Sequence, residues 1–116
     1  MITVGVGTSS GVHAEEVLAA VDAVLPPTAT SVRLATLDVR LREPGLREAA
    51  RGRGWELVGH PAAALAAVPV PSPSGRVAAA VGTPSVAEAA ALLHGGPLLV
   101  PRTVHGRVTV AVAGRA

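Results

Sequence analysis

Short apolar runs and helical patterns alternate along this chain, and glycine or proline marks nearly every change between them. The first run, residues 2–7, is rich in β-branched residues and ends in a glycine-rich turn, as expected for a strand. Apolar residues then recur at helical spacing between residues 17 and 25, and Pro26-Pro27 ends the predicted helix. The opening segment therefore predicts a strand, a loop and a helix.

A second unit of the same kind follows the first. Residues 32–37 predict a buried strand that ends at Asp38, and Pro44 stands where a helix would begin. Gly52 and Gly54 are expected to end this helix. The remaining pattern predicts, in chain order, a strand at 55–58, a short helix or turn at 61–68, a proline-rich loop at 69–74, a helix at 77–81, a helix at 86–93, and strands at 98–101 and 108–113.

Strands that alternate with helices predict an α/β fold. We expect a three-layer α/β/α arrangement around a mostly parallel sheet of about five strands. The last two strands are joined by a short turn around His105-Gly106, so an antiparallel last pair is the alternative at that end of the sheet. The 116 residues suffice for one domain, and a single domain over residues 1–116 is predicted.

Composition excludes several classes of site and partner. The chain has no cysteine, which rules out disulfides, zinc–thiolate sites and thiol nucleophiles and is typical of a cytoplasmic protein. The N-terminus lacks the pattern of a signal peptide, and no apolar stretch has the length of a membrane span, so no membrane contact is expected. The net charge is only +2, and Trp55 is the single aromatic residue, so nucleic-acid binding is not predicted.

Two loops are candidates for binding a ligand, because ligands of open α/β sheets bind beyond the carboxyl ends of the strands. The first loop contains glycines that allow close approach of its backbone, and the helix that follows it favours an anion at its N-terminus. Its candidate ligand-binding residues are Gly7, Thr8, Ser9, Ser10 and Gly11. The alternative is a tight turn in which a serine only caps the helix. The loop lacks the P-loop lysine and the third glycine of the dinucleotide fingerprint, so no nucleotide is predicted.

The second candidate loop follows the second strand. Thr36 and Asp38 stand at the strand end, where a carboxylate can hydrogen-bond a ligand or orient a water molecule. Arg40 can bind a carboxylate through two parallel hydrogen bonds. The alternative interpretation is an Asp–Arg pair that organises the turn. If the chain is catalytic, Asp38 or Glu43 is the candidate base.

The histidines of this sequence do not indicate a metal site. No metal-ligand spacing relates the four of them, which are His13, His60, His94 and His105. They are expected on the surface, and neither a metal nor another cofactor is predicted. Ser10, His13 and Asp38 lack the nucleophile elbow of a hydrolytic triad.

Several short motifs, in a characteristic order and spacing, cover the chain nearly end to end. They are Gly5-Val6-Gly7 with Glu15-Glu16-Val17, Ala35-Thr36-Leu37-Asp38, Glu43-Pro44-Gly45-Leu46, Val70-Pro71-Ser72-Pro73-Ser74, residues 81–91, residues 98–101 and Val108-Thr109-Val110-Ala111. In these motifs the chain resembles the CobE family, which is also the C-terminal domain of CbiG, cobalt-precorrin-5A hydrolase. It departs from the family at Thr8-Ser9-Ser10, where a Cys-Arg-Arg/Lys run is common, so the first loop carries less positive charge.

The resemblance implies a role in cobalamin biosynthesis. CbiG opens a δ-lactone on the corrin-ring precursor and releases acetaldehyde, whereas CobE is a stand-alone form of its C-terminal domain. The implied ligand is an acidic tetrapyrrole, a precorrin or corrinoid intermediate, and other enzymes of the pathway are the implied partners. Two alternatives stay open: a hydrolase-like catalytic domain, or a structural partner of a separately encoded hydrolase domain. Further candidate ligand-binding residues are Ser72, Ser74, Ser85, Glu88 and Arg102.

Overall fold

The structure, a computed structural model, describes residues 1–70 and 86–114 of the chain. Within these residues, five strands and four α-helices are joined by short connections and one 3₁₀ helix. In chain order they are β1 (Ile2–Thr8), α1 (Ala14–Val24), β2 (Val32–Leu37), the 3₁₀ helix (Asp38–Arg42), α2 (Pro44–Arg53), β3 (Glu56–His60), α3 (Ala62–Ala66), α4 (Val86–Leu92), β4 (Leu98–His105) and β5 (Val108–Gly114).

The five strands form one mixed sheet with the order β3-β2-β1-β5-β4. β1 pairs with β2, and β2 with β3, in parallel, whereas β5 is antiparallel to both β1 and β4. The α/β class and the antiparallel last pair are therefore as predicted. The sheet is less parallel than predicted, because the β4–β5 hairpin places β5 directly beside β1 and creates a second antiparallel pair.

Most element boundaries agree with the sequence pattern to within two residues. The main differences are a β3 that continues to His60, a β4 that continues to His105, and the 3₁₀ helix directly after β2, which was not predicted. Pro44 begins α2 as predicted, and Gly54 ends it in the left-handed conformation at φ 70°. The helix predicted at 77–81 and most of the proline-rich loop lie outside the described residues.

Ile2 and the valines of β1 and β5 form the main hydrophobic cluster together with α1 and α2. Its fully buried members include Ile2, Val4, Val6, Val17, Val21, Leu34, Leu46, Val108, Val110 and Val112. Residues at alternate positions of β2 and β5 join α3 and α4 in two smaller clusters, which contain Ala35, Leu65, Ala87, Ala89, Ala90, Ala91, Ala111 and Ala113. Neighbouring side chains of a strand point to opposite faces of the sheet. Alternate residues of β5 therefore belong to the main cluster or to a smaller one.

Two glycines allow the close packing that fixes the position of the candidate site. A Cβ on Gly5 would lie 1.8 Å from the carbonyl oxygen of Ala87, so α4 approaches β1 more closely than any side chain would permit. A Cβ on Gly45 would lie 2.1 Å from the carbonyl oxygen of Val12, so the start of α2 contacts the loop that follows β1. These contacts bring α2 and α4 to the two sides of the first loop.

No helix in the described part of the chain is both long and apolar enough to cross a membrane.

Candidate functional site

The carboxyl ends of β1 and β2 lie at the same edge of the sheet. The two strands are parallel and adjacent, with Gly5 opposite Ala35. The Thr36 hydroxyl donates a hydrogen bond to the Val6 carbonyl across this pair, at 2.7 Å. Because Thr36 is fully buried, its hydroxyl holds the two strand ends together and does not face solvent. The first loop and the 3₁₀ helix consequently start side by side, as the two candidate loops were expected to do.

Arg40 and Glu43 join these two segments directly. The Gly11 amide donates a hydrogen bond to Glu43 Oε1 at 2.8 Å, and Arg40 Nη1 donates one to Ser10 Oγ at 3.1 Å. Arg40 Nη1 also lies 3.9 Å from Glu43 Oε2. Glu43 therefore occupies the backbone amide that the sequence assigns to an anionic ligand, and an incoming carboxylate has to compete with it.

Asp38 is the exposed first residue of the 3₁₀ helix, next to exposed Val39. The predicted Asp38–Arg40 pair is not among the ion pairs of the described residues, where Arg40 contacts Ser10 and Glu43 instead. Asp38 thus stands at the site edge with its carboxylate in solvent. Ser9 is exposed in the facing loop.

Thr8 ends β1 with a polar atom that the described residues leave unsatisfied. Its Oγ1 is buried and has no hydrogen-bond partner among them. Buried hydroxyls are nearly always hydrogen-bonded, so such an atom needs an explanation. The Thr8 hydroxyl lies at the base of the first loop, out of contact with solvent.

Arg107 makes a third connection to the first loop, and it was missed in the sequence. From the β4–β5 turn, its guanidinium donates to Glu16 Oε1 at 2.9 Å and to Glu16 Oε2 at 2.6 Å. It also donates to the Gly11 carbonyl at 3.3 Å, while Glu16 Oε2 accepts a hydrogen bond from the His13 amide at 2.7 Å. These hydrogen bonds, that of Arg107 first, lower the pKa of Glu16 to about 2. No local pattern could reveal the pair, since 91 residues separate its members.

Glu88 and Arg102 form a contact of their own at β4. Glu88 is fully buried, and its Oε2 accepts a hydrogen bond from the Arg102 backbone amide at 2.8 Å. That amide lies between Val100 and Thr103, where the pairing of β4 with β5 shifts register. The carboxylate of Glu88 thus stabilises an irregular strand, whereas the Arg102 residue is exposed. The candidate ligand-binding residues Ser72, Ser74 and Ser85 lie outside the described residues.

The clefts near the first loop are small and open. One, of about 240 Å³, is lined by Gly11, Val12, His13, Ala14, Pro44, Gly45 and Glu48. Another, of about 310 Å³, is lined by Glu15, Glu16, Ala19, His105, Gly106 and Arg107. Neither includes Asp38 or Arg40 in its lining. A tetrapyrrole-sized ligand would therefore rest on the described surface of this edge and would not be enclosed by it.

A mixed α/β sheet whose first two strand ends carry a glycine loop and an arginine-bearing 3₁₀ helix defines this chain as a small α/β protein. The fold is similar to the crystal structure of CobE, a protein from the cobalamin (vitamin B12) biosynthetic pathway. The TM-score is 0.86 and the identity 28%, over 97% of this chain and 92% of that one. It is also similar to the cobalamin biosynthesis protein chiG from Agrobacterium tumefaciens, with a TM-score of 0.71 and 34% identity over 100% of this chain and 99% of that one.

The model of the family described as cobalamin synthesis G C-terminus matches residues 2–113, and the chain belongs to this family. A curated relative, the cobalt-precorrin-5A hydrolase of Priestia megaterium, is 29% identical over 119 residues, which cover 97% of this chain. They cover 32% of the relative, so the chain spans about a third of its length. The resemblance predicted from the sequence motifs is confirmed, and the chain is a cobalamin biosynthesis protein related to CobE and to the C-terminal domain of CbiG.

Proposed function

We propose that this protein binds a corrinoid or precorrin intermediate at the sheet edge formed by the loop after β1 and the 3₁₀ helix. The observation that carries the proposal is the contact of Arg40, which lies in the 3₁₀ helix, with Ser10 of the loop after β1. Its guanidinium is half-buried and contacts Ser10 and Glu43 at 3.1 and 3.9 Å, the second being too long for a hydrogen bond. Arg40 therefore retains donors for a carboxylate at the place where the family resemblance expects the ligand.

The ligand chemistry fits the charges around this edge. Corrinoid intermediates carry several acetate and propionate side chains, and arginine binds carboxylates through paired hydrogen bonds. Arg40 and the exposed Arg42 offer two such cations on one short helix. Arg107, by contrast, is already bound to Glu16 by two hydrogen bonds and serves to hold the loop. The proposed contacts are thus Arg40 and Arg42, with the exposed Ser9 of the facing loop.

Binding without turnover fits the site better than hydrolysis. Lactone opening requires a positioned water, a base and a stabiliser for the oxyanion in a place protected from bulk solvent. Asp38 is exposed, and Glu43 already accepts a hydrogen bond from Gly11, the amide that would have to stabilise an oxyanion. The alternative, a catalytic or partner domain of a cobalt-precorrin-5A hydrolase, is favoured by one observation. The curated hydrolase relative contains about twice as much further chain, which could complete the enclosure.

The proposal includes the finer architecture predicted from the sequence, a single domain with three α/β/α layers. It is supported by the division of the core, in which β1 residues at alternate positions contact either α1 and α2 or α4. A cytoplasmic location, with other cobalamin-pathway enzymes as partners, is part of the same proposal.

The test is a titration of the purified protein with two corrinoids that differ only in their side chains. One carries free peripheral carboxylic acids and the other carries the corresponding amides. We expect the acidic corrinoid to bind more tightly, and its affinity to fall as salt is raised, because screening weakens contacts between exposed charges. Equal affinity for both corrinoids, or no binding of either by calorimetry, would refute the proposal.

A further inference from the structure

Two histidines from distant parts of the chain meet on the surface at the carboxyl end of β3, where His60 pairs in register with Leu37, the residue before the 3₁₀ helix. His60 is the last residue of β3, and His94 follows α4. Their Nε2 atoms are 2.8 Å apart, and the centroids of the rings are separated by 4.8 Å with the planes tilted by 51°. They lie 34 positions apart in the sequence, which explains why local spacing did not indicate a pair.

The separation of the two nitrogens has two chemical explanations. Two neutral imidazoles can share one hydrogen bond, in which one Nε2–H donates to the other Nε2. The same two atoms can also be neighbouring ligands of one metal ion. With metal–nitrogen bonds of about 2.1 Å, two ligand nitrogens lie ~3.0 Å apart when the nitrogen–metal–nitrogen angle is a right angle. They lie ~3.4 Å apart when that angle is tetrahedral. The observed 2.8 Å is closer to the right-angled arrangement.

We propose that His60 and His94 form a binding site for a divalent transition-metal ion with square-planar or octahedral coordination, Ni²⁺ or Cu²⁺ by preference. Imidazole suits both ions, and both adopt coordination with right angles between neighbouring ligands. Zn²⁺, which prefers tetrahedral sites, would have to spread the nitrogens and should bind less tightly than Ni²⁺. In the described part of the chain, no third His, Cys, Asp or Glu completes a cluster of ligands. Water or an external ligand would fill the other positions.

The surroundings of the pair are compatible with a bound cation. Arg33 is the nearby positive charge, and its Nε lies 2.6 Å from Glu56 Oε1, so a carboxylate offsets it. Both rings also reach the surface, since neither residue is buried.

The experiment uses the full chain without an affinity tag, because a polyhistidine tag would bind the same ions. Calorimetric titration with Ni²⁺ is compared for the wild type, His60→Gln, His94→Gln and the control His105→Gln, which removes an exposed histidine from the β4–β5 turn. We expect one Ni²⁺ per chain for the wild type and the control. Each pair variant should bind at least about tenfold more weakly, since it loses one of two ligands.

A second measurement does not depend on the variants folding. Imidazole signals of the wild type are recorded by NMR while Cu²⁺ is added well below one equivalent. The ring signals of His60 and His94 should broaden first, ahead of those of His13 and His105. Absence of Ni²⁺ binding, unchanged affinity in both pair variants, or equal broadening of all four histidines would each overturn the metal site. None of these results bears on corrinoid binding, which is measured separately.

Discussion

Glu43 Oε1 accepts a hydrogen bond from the Gly11 amide at 2.8 Å, and this contact ties the start of α2 to the loop after β1. Gly11 has a φ of 77°, which favours glycine, and its carbonyl is held by Arg107 at 3.3 Å. Both polar groups of the Gly11 backbone are thus engaged by side chains. The loop is therefore connected to the start of α2 through Glu43 and to the β4–β5 turn through Arg107.

Substituting Glu43 tests whether its carboxylate competes with the ligand. Glu43→Gln keeps an oxygen that can accept the Gly11 hydrogen bond but removes a negative charge beside Arg40. We expect the acidic corrinoid to bind a few-fold more tightly to this variant, by calorimetry, with stability changed by no more than about 1 kcal/mol. Weaker binding would instead identify Glu43 as a group that the ligand needs.

Arg40 supplies the main predicted contact with the ligand. Arg40→Ala should weaken binding of the acidic corrinoid by about 1–3 kcal/mol, the usual cost of losing a charge-assisted hydrogen bond. Arg51→Ala is the matched control, since Arg51 is an exposed arginine in the last turn of α2. If both variants bind like the wild type in the same titration, Arg40 only organises its loop.

The Glu16–Arg107 pair predicts how stability depends on pH. The pKa of Glu16 is lowered to about 2, mainly by the hydrogen bond from Arg107, whereas the ordinary pKa of a glutamate carboxyl is 4.5. A carboxyl whose pKa is lower in the folded state stabilises the fold above its unfolded pKa, and this contribution is lost as pH falls toward the folded pKa. The wild type should therefore exceed Glu16→Gln in stability at pH 7, and the difference should disappear between about pH 4.5 and pH 2.

Urea unfolding of both proteins at several pH values gives this difference directly. Glu15→Gln serves as the control, because Glu15 lies in the same first turn of α1 and has no ion pair with Arg107. Arg53 lowers the pKa of Asp22 in the wild type and in Glu16→Gln alike. The contribution of Asp22 to the pH dependence therefore cancels when the two proteins are compared. A difference that is constant across this pH range would show that the Arg107 contact does not depend on the charge of Glu16.

Gly5 predicts a strong effect on folding. A methyl group there would meet the Ala87 carbonyl oxygen at 1.8 Å, so Gly5→Ala must push α4 away from β1. We expect a loss of about 1–3 kcal/mol or more in urea unfolding, as for other overpacked positions. Gly52→Ala is the control: Gly52 lies within α2 with nothing inside 4 Å of an added Cβ, and alanine there should stabilise by up to about 1 kcal/mol.

The sequence pattern predicted the elements well, because periodicity and turn residues are local signals. Pro44 and Gly54 mark the two ends of α2, and the β-branched runs mark the strands that contact α1 and α2. Pairing of strands is a property of the whole chain. The turn around His105-Gly106 indicated the antiparallel β4–β5 pair, but no local signal showed that β5 would also pair with β1.

The candidate site was predicted in part for the same reason. Motifs placed the two loops, since the ends of adjacent parallel strands share an edge. They could not show that Glu43 would occupy the Gly11 amide, that Glu88 would hold β4, or that Arg107 would reach Glu16. Each of these contacts joins residues from different parts of the chain, so it depends on tertiary packing that no local pattern encodes.

The last prediction is negative and concerns catalysis. With a lactone-bearing precorrin intermediate, the isolated chain should bind the ligand but release no acetaldehyde above the rate of the intermediate alone. The candidate bases are poorly placed for hydrolysis, because Asp38 is exposed to bulk solvent and Glu43 is hydrogen-bonded to Gly11. The assay follows acetaldehyde by coupled reduction, with a cobalt-precorrin-5A hydrolase as the positive control and Asp38→Asn as the diagnostic variant. Rapid release by the wild type that is lost in Asp38→Asn would show that Asp38 acts as the base and that this chain is itself a hydrolase.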